Sequence, residues 1–511
     1  MKCRLALILL ALQASLFADV RLPQLFSENA VLQREIPFKI WGWAEPKEKV
    51  SVHFVGAEYE TQANESGNWE VSIPAQKAGG PHKLIVKGKN TIERSNILFG
   101  EVWLCSGQSN MQWGVGQSGN GDLEFLLANN SNIRMISVNN WGSQTPQHDV
   151  DGKWEIATGK DLRAFSAVGY YFGRELNRAL NVPIGLINNA WGGSACEAWV
   201  PKDVLLSDPR HLEYIEKTEK LVAECEANPE YANFIKQQQE WQKGLITSIK
   251  TLGPKPRAPK KPAKSYHSQH RPANLWNARI HPLLKYKIKG AIWYQGETNA
   301  GRAYNYRYLL PMMIETWRKE WQVGDFPFYW TQLADFGKNR DKNGNSPWAE
   351  IRESMTVVFQ NTQNTGQTII TDLGEDSNIH PVKKLEVAQR LVRWALAKDY
   401  GFDIEHRSPM YVSHEIKDHK IIITLDQNVR TFDVREVLGF TIAGEDQKFV
   451  AAQAKVNKNT IEVWSDSVSD PKALRYAWAG NPVCNLVNSV GLPVTPFRTD
   501  IWKLSTEPQS P

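Results

Sequence analysis

At 511 residues, with 41% hydrophobic side chains, the chain is too long for one hydrophobic core and calls for two to four domains. A formal net charge of +5 is small for this length, and the positive residues are spread rather than gathered into a stripe, so nucleic acid is excluded as the organising partner. The one excess is tryptophan, 20 residues; exposed indoles suit sugar-binding surfaces, although most tryptophans fill cores.

The chain opens with Met1-Lys2-Cys3-Arg4, an apolar run Leu5–Leu12, and Ala14-Ser15-Leu16-Phe17-Ala18. This is the pattern of a secretory signal peptide over residues 1–18, with cleavage expected after Ala18 and a periplasmic or secreted product. No later apolar run is long enough to span a bilayer. Of the four cysteines beyond it, Cys105 and Cys196 end apolar strand-like runs and are expected as buried thiols, while Cys225 and Cys484 complete a set that would allow two disulfides.

Residues 19–98 alternate apolar and polar positions in short runs such as Phe38–Trp43, Val50–Phe54, Trp69–Ile73 and Lys83–Val86. Turns at Glu45-Pro46, Glu65-Ser66-Gly67 and Gly79-Gly80-Pro81 separate them, which predicts an N-terminal β-sandwich domain. From residue 99 to 401 the pattern changes. Apolar runs at Val102–Cys105, Val182–Ile187, Gly290–Tyr294, Phe326–Leu333 and Thr368–Asp372 alternate with helical periodicity, as at Phe165, Val168, Phe172, Leu176 and Leu180, and again from Leu385 to Ala395 before Gly401. That alternation predicts an α/β domain with a doubly wound, five-stranded parallel sheet and an active site at the carboxyl ends of its strands. Residues 203–270 interrupt it with a charged helical insert whose Pro/Lys-rich linker holds the cluster Lys255–Lys264. Beyond residue 402 two-fold alternation returns at Lys420–Leu425, Val437–Ile442 and Thr460–Trp464, predicting a C-terminal β-rich domain over 402–511.

Four blocks fall at the expected strand ends. The first, GEVWLCSGQSNM at Gly100–Met111, leaves Ser109 at the tip of a turn as a candidate nucleophile. It is not the Gly-x-Ser-x-Gly elbow, because Met111 stands where the second glycine belongs. The second, Asn188-Asn189-Ala190-Trp191-Gly192-Gly193-Ser194, has a double glycine able to present N–H donors to an oxyanion. In the third, Gln295-Gly296-Glu297-Thr298-Asn299, Glu297 is a candidate to orient a histidine, and Gln295 or Asn299 to assist the oxyanion. The fourth carries His380, the one histidine that follows the terminal strand, on a loop from which a base can reach Ser109.

Taken in order, GQSNM, NNAWGGS, WYQGETN and NIHPVKK resemble the blocks of the SGNH hydrolases, and more closely the sialate O-acetylesterase group and the related acetylxylan esterases. LPQLFSENAVLQREIPFKIWGWA near the start and NLVNSVGLPVTPFRTD near the end extend the resemblance across the chain. It implies an SGNH-type sheet flanked by two β-sandwich-like domains, with Ser109 as nucleophile, His380 as general base, and the N–H groups of Ser109 and Gly193 as the oxyanion hole. It requires no metal and no cofactor. Many SGNH enzymes place an aspartate three residues before the histidine, where this chain has Ser377; the third member is then Glu297, with Asp376 as the alternative, or a backbone carbonyl serves a Ser-His dyad.

The implied activity is removal of O-acetyl groups from sialic acids, with acetylated xylan or another polysaccharide as the alternative substrate. A sialate carboxylate calls for a positioned cation, for which Arg302 and Arg352 are candidates. A non-catalytic glycan-binding protein on a decayed hydrolase scaffold is the reading from another class. The partner is in each case an O-acetylated carbohydrate, and nothing in the sequence fixes the oligomeric state.

Overall fold

The computed structural model of the protein describes residues 19–251, 253–263, 265–337, 345–433 and 435–508; the expected signal peptide lies outside them. Its organising element is a strand of 17 residues, Thr91–Gly107. The first part alternates exposed and half-buried side chains and pairs antiparallel with Gly79–Lys87. From Ile97 onward every residue is buried, because this part runs down the middle of a parallel sheet. The boundary expected between residues 98 and 99 therefore falls inside one continuous strand. Val31–Gln33 also pairs with it there, matching Gln33 to Gly100.

Across the parallel sheet the order is Thr365–Thr368, Phe328–Thr331, Gly290–Tyr294, Thr91–Gly107, Ile184–Asn188, Ile133–Ser137, with Trp154–Ile156 added antiparallel at the edge. Six strands thus run parallel where five were predicted. The additional strand, Ile133–Ser137, is hidden in the sequence by Arg134, a buried cation in an apolar run. Its guanidinium is satisfied by the side-chain carbonyls of Asn29 and Asn96, at 3.1 and 3.3 Å. The last strand is Thr365–Thr368, earlier than the predicted Thr368–Asp372, since its polar residues pair in register with Phe328–Thr331 while Ile369 and Ile370 pack beyond the ladder.

Both faces of the sheet are covered, as near-continuous apolar strands require. Helix Ala167–Leu180 starts at Ser166, whose Oγ accepts from the Gly169 N–H at 3.0 Å, and packs with Lys384–Asp399 on one face. Ala303–Trp321 and Pro347–Asn361 cover the other, where Trp199, Trp293 and Trp317 meet edge to face. The insert forms helices Leu212–Glu226 and Pro229–Thr251, followed by an extended chain, and a Lys250–Asp161 ion pair ties it to the body. Among the described residues no helix is long and apolar enough to cross a membrane. Cys105, Cys196, Cys225 and Cys484 are all free thiols, the first three buried.

The C-terminal region holds two four-stranded sheets that enclose Ile421, Ile423, Phe440, Ile442, Ile461 and Tyr476. Arg352 locks it to the central body. Fully buried, it donates to the carbonyls of Leu333 and Ala334 on one side and of Ala479 and Gly480 on the other, at 2.7 to 3.1 Å. This departs from the sequence expectation of a substrate-binding role, since the guanidinium donates to these four main-chain carbonyls inside the protein. Charged hydrogen bonds of this kind are worth about 1.5–3 kcal/mol each. Arg352→Leu is accordingly expected to lower stability by roughly 3 kcal/mol or more, read as a fall in the denaturant midpoint, with Arg352→Lys recovering only part of the loss.

Candidate active site

Three strand ends meet at one point. The N–H of Gln108 donates to the Tyr294 carbonyl at 2.9 Å, and the Gly107 carbonyl accepts from the Trp191 N–H at 3.0 Å and the Ser194 hydroxyl at 3.2 Å. This junction requires glycine at 107, where φ is +129° and a Cβ would lie 2.2 Å from the Tyr294 oxygen. Ser109 follows as the first residue of a short helix, Ser109–Gln112.

Its hydroxyl lies 2.8 Å from Nε2 of His380. The imidazole stacks on Trp113, ring centroids 4.4 Å apart and 16° from parallel. Burial, reinforced by the positive charges of Lys384 and Lys255, pushes the His380 pKa down to about 4. The ring is therefore neutral near pH 7 and can accept the Ser109 proton at Nε2. Asn378 clamps the main chain here: its Oδ1 accepts from the His380 N–H at 3.0 Å and its Nδ2 donates to the His380 carbonyl at 2.9 Å.

No carboxylate touches the other nitrogen of His380 among the described residues. Glu297 accepts instead from Asn110 Nδ2 at 2.5 Å, and its Oε2 is sealed from solvent without a partner. Burial raises the Glu297 pKa. Asp376 points away because the Glu375–Asn378 turn carries it outward, where its Oδ1 accepts from Asn481 of the C-terminal region at 3.0 Å. Asp372 is paired with Arg390. The sequence expectation of Glu297 or Asp376 on the histidine is thus corrected: neither is in contact with it.

The double-glycine turn stands beside Ser109, with a Cβ at Gly192 falling 3.5 Å from that of the serine. Gly193 sits at φ +72°, and neither its N–H nor that of Ser109 has an acceptor among the described residues. Surrounding groups hold the turn. Gln112 Oε1 accepts from the Gly192 N–H at 2.8 Å, and the Gly193 carbonyl accepts from His270 Nε2 at 2.8 Å and Thr298 Oγ at 3.1 Å.

Gln295 and Asn299 lie behind this turn rather than in it. Gln295 Nε2 donates to the Ser194 carbonyl at 3.0 Å and to Asn299 Oδ1 at 2.8 Å, while its Oε1 accepts from Tyr306. Asn299 donates to Glu197 at 2.9 Å. Both side chains are buried and bonded within the protein, which departs from the sequence expectation that they assist the oxyanion. Arg302, the other candidate for a substrate carboxylate, is paired with Glu197 at 2.9 Å and lies over the Tyr214 ring at 4.2 Å.

Several residues at the site carry no sequence signal of their own. Asn110 was legible only as part of GQSNM, yet its Nδ2 also donates to the Ile379 carbonyl at 3.0 Å and its Oδ1 accepts from Lys384 Nζ at 2.5 Å. Trp113 and His270 were anonymous members of an aromatic-rich chain. Arg279, fully buried, donates to Asn189 Oδ1 and to the carbonyls of Val138, Asn139 and Ala190, supporting the chain that leads into the turn.

The carbohydrate esterase family described as sialic acid-specific acetylesterase matches residues 100–250 and 263–386. The sialate O-acetylesterase of Mus musculus is 31% identical over 90% of this chain and 91% of its own length. That of Homo sapiens is 30% identical over 93% of this chain and 92% of its own. Among solved structures, a carbohydrate acetylesterase from Xanthomonas citri is 35% identical and superposes with a TM-score of 0.81, covering 94% of this chain and all of its own.

A fluorophosphonate probe should label Ser109 alone, and Ser109→Ala should abolish labelling. A histidine with a depressed pKa keeps its basic form to lower pH, so the labelling rate should stay level from pH 7 to about pH 5 and halve near pH 4. A midpoint at the ordinary histidine value would show that the depression is absent.

Proposed function

Because this chain belongs to the sialic acid-specific carbohydrate acetylesterase family, we propose that it removes O-acetyl groups from sialic acids through an acetyl-enzyme on Ser109. The observation that carries the reading is the Ser109 Oγ–His380 Nε2 hydrogen bond beside two N–H groups without acceptors. A pure binding module has no use for that arrangement, and two relatives spanning nearly the whole chain are sialate O-acetylesterases.

In the first half-reaction His380 Nε2 takes the Ser109 proton as Oγ bonds to the acetyl carbon. The N–H groups of Ser109 and Gly193 receive the oxyanion. Collapse breaks the bond from the acetyl carbon to the sugar oxygen, and Nε2–H returns its proton to that oxygen. In the second half water loses a proton to Nε2 and attacks the acetyl carbon; Ser109 leaves with the proton and acetate is released. Trp113 keeps the imidazole plane fixed through both proton transfers by stacking on it.

The same reading takes the parallel sheet with its Ser109, Gly193 and His380 loops as an SGNH-type core, with β-sandwich-like regions before and after it as supports. It takes residues 1–18 as a signal peptide that directs the enzyme to the periplasm or outside the cell. Support for export comes from the basic start, the apolar run and the Ala18 site.

The experiment is acetate release from O-acetylated sialic acid and from acetylated xylan, wild type beside Ser109→Ala and His380→Ala. Wild type is expected to prefer the sialic acid, with both variants reduced roughly 10⁴-fold or more. A preference for xylan overturns the substrate, and undiminished turnover by Ser109→Ala overturns the mechanism.

A further inference from the structure

Lys384 is a fully buried cation that the mechanism above does not use. It opens helix Lys384–Asp399, four residues after His380, and its Nζ donates to Asn110 Oδ1 at 2.5 Å. The aromatic face of Tyr294 lies beneath it, 5.4 Å from Nζ to the ring centroid. On the far side of Asn110, Nδ2 donates to Glu297 Oε1 at 2.5 Å and to the Ile379 carbonyl at 3.0 Å. Asn110, the residue after the nucleophile, thus joins three things: the peptide before the base, a buried carboxylate and a buried ammonium.

We propose that Lys384 is a positioning residue for the hydrolytic pair, acting through Asn110 to hold Ser109 and His380 in register where no carboxylate holds the imidazole. The proposal rests on the assignment of Ser109 and His380 as nucleophile and base. In a Ser-His-Asp triad the acid fixes the ring by accepting from Nδ1. Here the fixing is done on the main chain. Lys384 holds Asn110 Oδ1, so the amide can turn only one way and Nδ2 faces Glu297 and Ile379. The Ile379 carbonyl is one bond from the His380 N–H, which Asn378 holds in turn. Ser109 is fixed by the same amide, since it precedes Asn110 in the first turn of its helix.

An ammonium in an apolar core is costly, and an aliphatic side chain would fill this space at less expense of solvation. Its retention at 0% exposure in contact with a site residue points to a use for the charge. Charge also reaches the base directly. Lys384 and the exposed Lys255 of the insert linker both face His380 and favour its neutral form, while Glu297 and Glu375 face Lys384 and favour its charged form. Burial outweighs those two carboxylates and brings the Lys384 pKa down to about 7.

The test measures kcat and KM from pH 4 to 8 on an aryl acetate for wild type, Lys384→Gln, Asn110→Ala and Ser109→Ala, with thermal midpoints beside them. Lys384→Gln is expected to lower kcat roughly ten-fold or more with KM within about two-fold, and to move the acid limb of kcat/KM upward by about one pH unit or more because a cation facing His380 is gone. Asn110→Ala keeps that cation and should lower kcat by a similar factor with the acid limb in place. A purely structural lysine would move the thermal midpoint without moving the acid limb, and that outcome overturns the proposal. Should Lys384→Gln fail to fold, Asn110→Ala decides: reduced kcat at unchanged KM upholds the positioning role, and wild-type kcat overturns it. Ser109→Ala separates the two claims, since activity surviving in it defeats the catalytic reading itself.

Discussion

The structure turns on the meeting of three strand ends at Gly107. Its carbonyl accepts from the turn that follows Ile184–Asn188, and the next N–H donates to the end of Gly290–Tyr294. A side chain at this point would collide with the Tyr294 carbonyl, so only glycine lets the neighbouring strand ends close. Because the ends are tied to one another, the Ser109 turn, the double-glycine turn and the Gln295–Asn299 block hold fixed relative positions. Rigid strands thereby carry a candidate site whose residues sit on loops, the arrangement that parallel sheets favour at their carboxyl ends.

His380 arrives from elsewhere, on the loop after Thr365–Thr368, and its placement is the less direct achievement. Trp113 fixes the ring plane, Asn378 the peptide, and Asn110 the carbonyl before it. The result is an imidazole held from its back and face rather than from Nδ1. A histidine so buried, with cations nearby, is kept neutral well below pH 7. Among the described residues no carboxylate bonds to its ring, so under the proposed mechanism more of the stabilisation of the transition state would fall to the oxyanion donors. Several groups hold the Gly192-Gly193 turn: Gln112, Gln269, His270 and Thr298 each bond to it, and Gln295 fixes the peptide just beyond.

Much of this could be read from the chain, and what could not has physical reasons. Ser109, Gly193 and His380 were visible because each follows an apolar strand, and strand ends converge. Side-chain partners depend on angles that sequence does not encode: Glu297 lies at the right strand end but faces Asn110, and Asp376 is two residues from His380's clamp, Asn378, in a turn that swings it to Asn481. Arg352 is a candidate for a substrate carboxylate in the sequence because a cation calls for an anion, whereas four main-chain carbonyls satisfy its guanidinium in the interior. The strand Ile133–Ser137 was lost for the same reason, through Arg134. The strand Thr91–Gly107 hid the join between the N-terminal β region and the parallel sheet, since the change of pairing partners happens without a break in the backbone.

The central claim is that the acetyl group passes through Ser109. It is tested most directly by quenching the enzyme in acid during turnover of O-acetylated sialic acid and locating the modification by peptide mass spectrometry. The account predicts a single acetyl group on the peptide containing Ser109, present in wild type and missing from Ser109→Ala. Acetate release with no acetyl-enzyme at the earliest quench times, or an acetyl group on another side chain, would contradict it.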